Sequence, residues 1–260
     1  MMQLEEELGV KLFVRSKHSI YLTDEGMLFR RRAKEIVSLM EKTMFELNAE
    51  DQISGEITIG SGEILAFSQL AAIITDFGKA YPLVHFDIQS GNADSTKDGI
   101  ERGLIDIGLV VVPVDIGKYE YLRMPGEETW GAYVHEEHPL AARDFVERDD
   151  LAGEKLLITH REIVQNAIAG WFGGGFEKLN IIGTYNLPAN AIALVQQKAG
   201  IAIGLRRRCT FDNVRFIPFR PALTTKSILI WKKTQTVSPT VSAFVEYAKK
   251  YINRIVVDEI

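Results

Sequence analysis

From residue 55 onward, short apolar runs that suit β-strands alternate with longer segments in which apolar residues recur at helical spacing. The first series predicts strands at 55–60, 85–90 and 105–112. Two helices separate these strands, one at 65–81, which ends before Pro82, and one at 95–102. Strands that alternate with helices in this order favour an α/β fold with a parallel, doubly wound sheet.

A second series repeats this alternation further along the chain. It predicts strands at 130–134, 155–158, 180–185, 200–205 and 227–232, and helices at 162–172 and 189–199. Ser238 and Pro239 then suit the start of a last helix, because serine caps helices and proline is favoured in their first turn. The apolar residues predicted for its inner face are Val241, Phe244, Val245, Ala248 and Ile252.

The N-terminal part of the chain follows another pattern. A helix over residues 3–8 ends at Gly9, and two apolar-rich runs, 11–15 and 19–22, predict a small hairpin. Thr23 is a suitable N-cap for a long helix over 24–51. Its apolar stripe consists of Met27, Leu28, Ile36, Val37, Met40, Met44 and Leu47. Because the hairpin is too small to bury this stripe, we expect a homodimer contact through Met40, Met44 and Leu47.

Composition places the chain among globular proteins, since 46% of its 260 residues are hydrophobic and 25% are charged. No apolar run is long enough to span a membrane, and the acidic N-terminus lacks the apolar core of a signal peptide. We therefore expect a cytoplasmic protein with no membrane contact. The single cysteine, Cys209, excludes an internal disulfide and a multi-cysteine zinc site.

Charge is distributed unevenly along the chain. The net charge of -5 argues against a protein that coats nucleic acid through bulk charge. Residues 11–34, however, hold seven basic side chains against two acidic ones, whereas the rest of the chain is acidic on balance. This asymmetry indicates that only the front end meets a polyanion, although a solvated helix face would have the same composition.

The front end also carries a dense sequence motif. Residues 4–15 read Leu-Glu-Glu-Glu-Leu-Gly-Val-Lys-Leu-Phe-Val-Arg, and residues 22–26 read Leu-Thr-Asp-Glu-Gly. The pattern resembles the LysR-type transcriptional regulators, in which it covers the end of the recognition helix, the wing hairpin and the start of the linker helix. The resemblance implies a partial winged helix-turn-helix at 1–23 and a linker helix for dimerisation, in a dimer or a dimer of dimers, at 24–53.

In that family, two further helices and the first half of the recognition helix come before this motif. Residues that read base edges are therefore expected to be missing here, through a misplaced start codon, a shortened sequence or natural truncation. The wing residues Arg15, Lys17 and His18 are expected to contact DNA phosphates, which position a protein without specifying sequence. DNA is thus an expected partner once the missing helices are restored.

The body resembles the effector-binding domain of the same family, whose two-lobed fold is like that of periplasmic solute-binding proteins. Asp-Ile-Gly-Leu-Val at 106–110 and His-Pro-Leu-Ala at 138–141 carry this resemblance. It implies an effector-binding domain at 54–255, with lobe I at about 54–128 and 235–255 and lobe II at about 134–228. The expected crossovers lie near 129–134 and 227–234. We expect a sensor of a small-molecule metabolite that needs no cofactor.

The effector is expected beyond the carboxyl ends of the strands, where open α/β sheets bind ligands. The loops at these ends supply the candidate effector-binding residues Ser61, Gly62, Glu63, Ser90, Asn92, Val112, Thr159, His160, Tyr185, Asn186 and Arg206. Free N–H groups at Ser61 and Gly62, ahead of a helix, suit a carboxylate or phosphate, unless Ser61 is an ordinary N-cap. Glu63 disfavours an anion there unless it pairs with His160 or Arg161, so an amine-bearing effector remains an alternative.

Arg206 begins a run of three arginines after a predicted strand. One interpretation is an anion clamp at the mouth of the cleft, because guanidinium groups bind carboxylates and phosphates in a bidentate manner. The other interpretation is a solvated loop, which is what most charged runs form.

Catalytic and metal motifs are weak in this sequence. His135 and His138 lack the spacing of a helical zinc motif, and the glycine run at 173–175 has no following lysine to form a phosphate loop. We therefore expect no metal, no catalytic residues and no enzyme. Two alternatives remain open, namely a solute-binding protein or effector-binding remnant without DNA binding, and an α/β enzyme that acts on the same metabolite.

Overall fold

The computed structural model of the protein describes residues 2–15, 20–47, 53–233 and 238–258. Its first helix, α1 (Met2–Leu8), ends at Gly9 in the left-handed conformation. In the hairpin that follows, β1 (Phe13–Arg15) pairs with β2 (Ile20–Leu22) in antiparallel register. The predicted helix end and hairpin are therefore confirmed. Lys17 and His18 lie outside the described residues, as does the side chain of Arg15.

The carboxylate of Glu5 holds α1 and the hairpin together. It accepts hydrogen bonds from the backbone N–H groups of Leu12 at 2.6 Å and Phe13 at 3.1 Å, and Lys11 lies 3.6 Å away. These bonds, above all the one from Leu12, hold the pKa of Glu5 below its usual range. The front end is therefore one small structural unit.

The long helix α2 (Asp24–Leu47) is capped by Thr23, whose hydroxyl accepts a hydrogen bond from the Gly26 N–H at 2.9 Å. Gly26 is needed because a Cβ atom there would lie 2.0 Å from the carbonyl oxygen of Leu12. Met40 and Met44 are exposed on α2, whereas the side chain of Leu47 lies outside the described set. The predicted apolar stripe therefore has no cover within the chain at these two methionines.

The body folds into two lobes, each built on its own sheet. Lobe I contains β3 (Gly55–Ser61), β4 (Val84–Ser90), β5 (Ile107–Val111), β6 (Tyr119–Arg123) and β13 (Ser227–Lys232), in the spatial order β4-β3-β5-β13-β6. The strands β3, β4 and β5 are parallel, and β13 is antiparallel to its two neighbours. The carboxyl ends of three strands thus meet at one edge of lobe I.

Three helices cover the lobe-I sheet. The helices α3 (Phe67–Ala80) and α7 (Pro239–Asp258) pack on one face, and α4 (Ala93–Glu101) packs on the other. All five residues predicted for the inner face of the last helix are buried there: Val241, Phe244, Val245, Ala248 and Ile252. Helical periodicity therefore identified the buried face of α7 correctly.

Lobe II repeats this arrangement. It contains β7 (Glu128–His135), β8 (Lys155–Thr159), β9 (Asn180–Tyr185), β10 (Ile201–Leu205), β11 (Val214–Pro218) and β12 (Thr224–Thr225), in the order β11-β7-β10-β8-β9, with β12 paired to β7. The strands β8, β9 and β10 are parallel. The helices α5 (Glu162–Phe172) and α6 (Pro188–Gln196) pack on opposite faces of the sheet.

The chain passes between the sheets twice, at residues 124–127 and at residue 226. These crossings lie side by side, because Thr225 pairs with Glu128 and the Met124 N–H donates a hydrogen bond to the Ser227 carbonyl at 3.0 Å. The Lys226 carbonyl also accepts a hydrogen bond from the Val112 N–H at 3.0 Å. Residues 227–232, expected near the second crossover, instead form the lobe-I strand β13, and β7 joins the lobe-II sheet from Glu128 onward. The pattern also missed β6, β11 and β12. Both β6 and β11 are edge strands, three of the five residues of β6 are exposed, and β12 has only two residues.

Candidate functional site

A cleft lies between the lobes, beyond the carboxyl ends of their parallel strands. Its lining includes residues at the carboxyl ends of β3, β4, β5, β8, β9 and β10 or directly after them. Its apolar wall residues include Ile64 and Leu109 from lobe I and Trp130, Val164 and Leu205 from lobe II. The cleft encloses about 110 Å³. A cavity of about 150 Å³ holds one benzene molecule, so only a compact ligand fits this arrangement of the lobes.

The lobe-I helix α4 begins at the cleft with its first turn already capped. The side-chain oxygen of Asn92 accepts hydrogen bonds from the N–H groups of Asp94 at 3.0 Å and Ser95 at 2.9 Å. Asn92 itself lines the cleft. The partial positive charge of this helix end is therefore met by an oxygen of the protein.

The turn that leads into α3 is closed by Glu128, the first residue of β7. Its buried carboxylate accepts hydrogen bonds from the N–H groups of Leu65 at 3.1 Å and Ala66 at 2.9 Å. The Ser227 hydroxyl donates a third hydrogen bond at 3.1 Å. Glu128 thus joins α3 and β13 of lobe I to the first strand of lobe II.

The anion site expected at Ser61 and Gly62 is not built as predicted. The helix α3 begins at Phe67, so neither residue directly precedes it. The N–H groups of the turn before α3, those of Leu65 and Ala66, donate hydrogen bonds to Glu128. The Ser61 hydroxyl donates a hydrogen bond to the Gly62 carbonyl at 2.8 Å and caps no helix. An internal carboxylate therefore takes the place that an external anion was expected to fill.

The lobe-II helices α5 and α6 begin at the cleft without a side-chain cap. Their N-cap residues are Arg161 and Leu187, neither of which has a side-chain oxygen that could accept a hydrogen bond from the first turn. Leu187 and Pro188 line the cleft, as do Arg161 and Val164. The positive ends of two helix dipoles therefore meet the cleft on the lobe-II side.

Two arginines add full positive charges to the lobe-II wall. The side chains of Arg161 and Arg207 are only 8% and 7% exposed. Their partners come from lobe I, where Asp94 pairs with Arg161 and Glu63 pairs with Arg207. These carboxylates are 60% and 49% exposed. The buried cations of lobe II are thus neutralised by well-hydrated anions that reach across from lobe I.

The two ion pairs differ in geometry. Asp94 binds Arg161 in a bidentate manner, with Nε 2.9 Å from Oδ2 and Nη2 3.1 Å from Oδ1. Glu63, in contrast, contacts Arg207 through Nη1. The buried Nε of Arg207 has no hydrogen-bond partner among the residues that the structure describes. This edge of the guanidinium therefore lacks the acceptor that the same edge of Arg161 has. A buried donor without an acceptor is energetically costly.

Two tyrosines support the strand that leads to Arg207. The Tyr133 hydroxyl donates a hydrogen bond to the Leu205 carbonyl at 2.7 Å, and the Tyr185 hydroxyl donates one to the Ile203 carbonyl. Burial raises the pKa of both phenols well above the usual value. Both hydroxyls therefore stay protonated at neutral pH, and they brace the end of β10.

The structure brings together part of the predicted effector-binding set. The members that line the cleft are Gly62, Glu63, Asn92, Thr159, Tyr185 and Asn186. The members that do not line it are Ser61, Ser90, Val112, His160 and Arg206. Of these, Val112 bonds to the second crossing through its backbone, and His160 is exposed with Nδ1 3.2 Å from the Tyr185 carbonyl oxygen.

Glu63 and Arg206 have contacts that differ from those considered in the sequence. Glu63 pairs with Arg207 and not with His160 or Arg161. Arg206 is exposed, and its guanidinium lies 5.2 Å from the centre of the Phe216 ring, which fits the solvated-loop interpretation of this residue better than the anion clamp. The next residue, Arg207, provides the guanidinium of the cleft instead, because successive side chains of an extended segment point to opposite sides.

The predicted site residues did not include Asp94, Glu128 or Arg207. The run of three arginines was the available signal for Arg207, but a run does not reveal which member turns inward. Asp94 and Glu128 have no local signal, because their partners lie 67 and 62 residues away along the chain. Within the described residues, no group of three or more His, Cys, Asp or Glu side chains could hold a metal ion.

Comparison with known proteins identifies the family. The profile of the LysR substrate binding domain matches residues 50–253. ShiR, an HTH-type transcriptional regulator of Corynebacterium glutamicum (strain R), is 31% identical over 206 residues, which cover 77% of this chain and 70% of ShiR. YwbI, an uncharacterized HTH-type transcriptional regulator of Bacillus subtilis (strain 168), is 26% identical over 260 residues, which cover 96% of this chain and 84% of YwbI.

Solved structures have the same fold. HinK, a LysR family transcriptional regulator from Pseudomonas aeruginosa, superposes with a TM-score of 0.63 at 25% identity and covers 98% of this chain, which in turn covers 87% of HinK. The effector binding domain of QuiR in complex with shikimate gives a TM-score of 0.67 at 19% identity, over 77% of this chain and 98% of that domain. In the described part of the chain, no helix is both long and apolar enough to cross a membrane. The chain belongs to the LysR family of transcriptional regulators, and its two-lobed body is the effector-binding domain of that family.

Proposed function

We propose that the protein regulates transcription by sensing a small metabolite in the cleft between its lobes. The main support is that both lobes line one cleft, across which Asp94–Arg161 and Glu63–Arg207 form ion pairs. A ligand in this cleft contacts both lobes. It shifts their arrangement only if it binds one arrangement more tightly than another. Occupancy of the cleft would then be converted into a change in the angle between the lobes.

The proposed partners are DNA and a second copy of the chain. Arg15, Lys17 and His18 are proposed to contact DNA phosphates, which agrees with the basic balance of residues 11–34. The regulator CbnR, solved in complex with its target DNA, has the same fold, with a TM-score of 0.70 at 19% identity. We further propose that the protein acts in the cytoplasm, where its DNA target is accessible.

Dimerisation is proposed to involve Met40, Met44 and Leu47 on α2. Exposed apolar side chains at helical spacing favour a helix-to-helix contact between subunits. The double variant Met40→Asp, Met44→Asp is expected to sediment as a monomer in analytical ultracentrifugation. The matched control is Arg31→Asp, Lys34→Asp, which changes two exposed polar positions of the same helix. If the methionine variant keeps the mass of the wild type, the lobes themselves hold the assembly together.

We propose three functional segments, namely a DNA-facing unit at 1–23, a linker helix at 24–53 and the effector-binding part at 54–255. Two other functions compete for the third segment. A solute-binding protein would bind the metabolite without any effect on DNA, and an α/β enzyme would convert it. The known relatives described above are transcriptional regulators, which favours sensing over either alternative.

A cleft-filling variant tests the site. Val111 ends β5, lines the cleft and is only partly buried, so that Val111→Phe extends into the cleft without overpacking the core. A metabolite library is screened for compounds that raise the melting temperature of the wild type. True cleft ligands are expected to lose this effect in Val111→Phe and to keep it in Ile88→Phe, which enlarges an exposed residue of β4.

Two outcomes of this screen contradict the proposed function. Compounds that stabilise the wild type and Val111→Phe equally would place the binding site elsewhere. A compound that is consumed, as shown by mass spectrometry of the incubated mixture, would identify an enzyme. For true ligands, a change in the affinity for promoter DNA then separates a regulator from a solute-binding protein.

A further inference from the structure

The walls of the cleft have opposite charges. Lobe II contributes two buried guanidinium groups and two uncapped helix N-termini, whereas lobe I contributes the exposed carboxylates of Asp94 and Glu63. The lobe-I helix α4 and the turn before α3 are already closed by protein oxygens. The donors that no side chain caps therefore lie on the lobe-II side of the cleft, whereas these two places on lobe I are already occupied.

The ion pair Asp94–Arg161 shows how this wall binds a carboxylate. Its two oxygen atoms accept hydrogen bonds from Nε and Nη2 of Arg161, which form one edge of the guanidinium plane. On Arg207, Glu63 contacts Nη1, and Nε is buried without a partner within the described residues, so a carboxylate reaches this Nε only when the surrounding side chains move. Arg207 therefore presents a second edge of the same geometry without its carboxylate.

Neighbouring groups define the rest of the ligand. Leu187 and Pro188, at the uncapped start of α6, line the same cleft as Arg207, so the helix dipole favours negative charge there. Because Arg161 is already neutralised by Asp94, the wall offers one free guanidinium edge, which suits one carboxylate better than a doubly charged group. Ile64 and Trp130 belong to apolar walls that suit a small hydrocarbon body.

We propose that the effector is a compact monocarboxylate that binds Nε and Nη2 of Arg207 beside the start of α6, with its apolar body in the cleft. This inference rests on the proposed function of the cleft and specifies the chemical class of its ligand. Glu63 can remain on Nη1 while the ligand binds the other edge of the guanidinium. Its negative charge then opposes the incoming carboxylate, so Glu63 sets an upper limit on affinity.

Pairs of acids and their uncharged amides test the ligand class. Acetate, propionate and benzoate are compared with acetamide, propionamide and benzamide by isothermal titration of the full chain at constant ionic strength. We expect at least one acid to bind about tenfold more tightly than its amide, because only the carboxylate makes a charge-assisted bidentate contact. Benzylamine serves as the cationic probe and is expected to bind more weakly than benzoate.

Three variants locate the contact. Arg207→Lys keeps the positive charge next to Glu63 but removes the Nε–Nη2 edge, and it is expected to weaken binding of the preferred acid about tenfold. Arg206→Gln, at the exposed neighbouring position, is expected to leave the affinity unchanged. Glu63→Gln is expected to strengthen acid binding several-fold, since it removes the opposing charge. A purely structural role of Arg207 would not produce this increase.

The proposal is overturned if no acid binds better than its amide, if benzylamine binds better than benzoate, or if Arg207→Lys binds the preferred acid as the wild type does. The proposed function survives these results when other ligands still bind in a manner that Val111→Phe abolishes. It fails separately when no compound shows this dependence on Val111. The two failures are therefore distinguishable in the same set of proteins.

Discussion

The two lobes share one architecture but differ in how their helices begin at the cleft. In lobe I, Asn92 caps α4, and Glu128 closes the turn that leads into α3. In lobe II, α5 and α6 begin at Arg161 and Leu187 without any side-chain cap. Equivalent positions at the carboxyl ends of parallel strands therefore have different electrostatic character. The fold provides the cleft, and individual side chains determine which wall attracts an anion.

This difference also explains the distribution of charge between the lobes. Lobe II can bury Arg161 and Arg207 because carboxylates reach them from lobe I. Burying an unpaired cation is unfavourable, whereas an exposed carboxylate retains much of its hydration. The cations are thus fixed features of the wall, and their partners can be exchanged at lower cost. A ligand anion on lobe II therefore lies beside these lobe-I carboxylates, whose negative charge opposes it.

Removing the carboxylate of Glu128 tests the lobe-I side, where protein oxygens bind the N–H groups at the helix starts. It should have the largest effect on stability. Glu128→Ala leaves the N–H groups of Leu65 and Ala66 and the hydroxyl of Ser227 without their acceptor. We expect the free energy of unfolding to fall by about 3 kcal/mol, since hydrogen bonds to a buried charged group are lost. Urea denaturation followed by circular dichroism measures this change.

Two controls show whether the lost cap is responsible. Ser227→Ala removes one of the three hydrogen bonds and is expected to cost about 1 kcal/mol. Added formate should stabilise Glu128→Ala more than the wild type, because it can occupy the vacated anion site. If Glu128→Ala lowers the free energy of unfolding by less than about 0.5 kcal/mol, it behaves like an ordinary surface substitution. Glu128 would then not be an important acceptor for the turn before α3.

Removing the cap of α4 should have an intermediate effect. Asn92→Ala leaves the N–H groups of Asp94 and Ser95 without the side-chain oxygen. The expected destabilisation is about 1 kcal/mol, the usual cost of losing an N-cap. Asn92→Asp provides the control, because aspartate caps helices as well as asparagine does and should preserve the stability measured by urea denaturation. Equal losses in both variants would argue against a capping role.

Adding a cap to α6 should have the smallest effect. Leu187→Ser and Leu187→Ala remove similar apolar contacts, but only serine supplies an oxygen to the first turn. We expect the serine variant to be more stable than the alanine variant by about 0.5 kcal/mol, at the low end of N-cap effects. Paired urea titrations of these variants measure the difference. Equal stabilities would mean that the start of α6 has no unmet donors, which would remove the contrast between the lobes.

Local periodicity predicted much of the fold. The strand β9, the helix α5 and the strand β13 have the bounds that the pattern gave, 180–185, 162–172 and 227–232. The helix α5 has apolar residues at helical spacing and β13 is a continuous apolar run between polar residues, so their own residues suffice to define them. The strands that the pattern missed lie at sheet edges or are very short, and their exposed polar positions obscure the period.

The site was less predictable than the fold for a different reason. The carboxyl ends of the parallel strands follow from the order of the elements, and each of these ends contributes to the lining of the cleft. The contacts between side chains depend on how the lobes meet, which leaves no trace in local sequence. This is why Arg206 was preferred to Arg207 and why the carboxylate of Glu128 was overlooked as the partner of the turn before α3.

The double crossing between the lobes restricts what an effector can communicate. Two adjacent strands join the lobes, at 124–127 and at 226, and backbone hydrogen bonds hold them together. A single strand would allow one lobe to swivel in any direction, whereas a paired ribbon resists twisting and favours bending about one axis. If a ligand shifts the lobes, we therefore expect the movement to follow mainly this one axis. Chemically different ligands in this cleft would then move the lobes in the same direction but to different extents. They would differ in affinity and in the size of the response, and not in the type of movement.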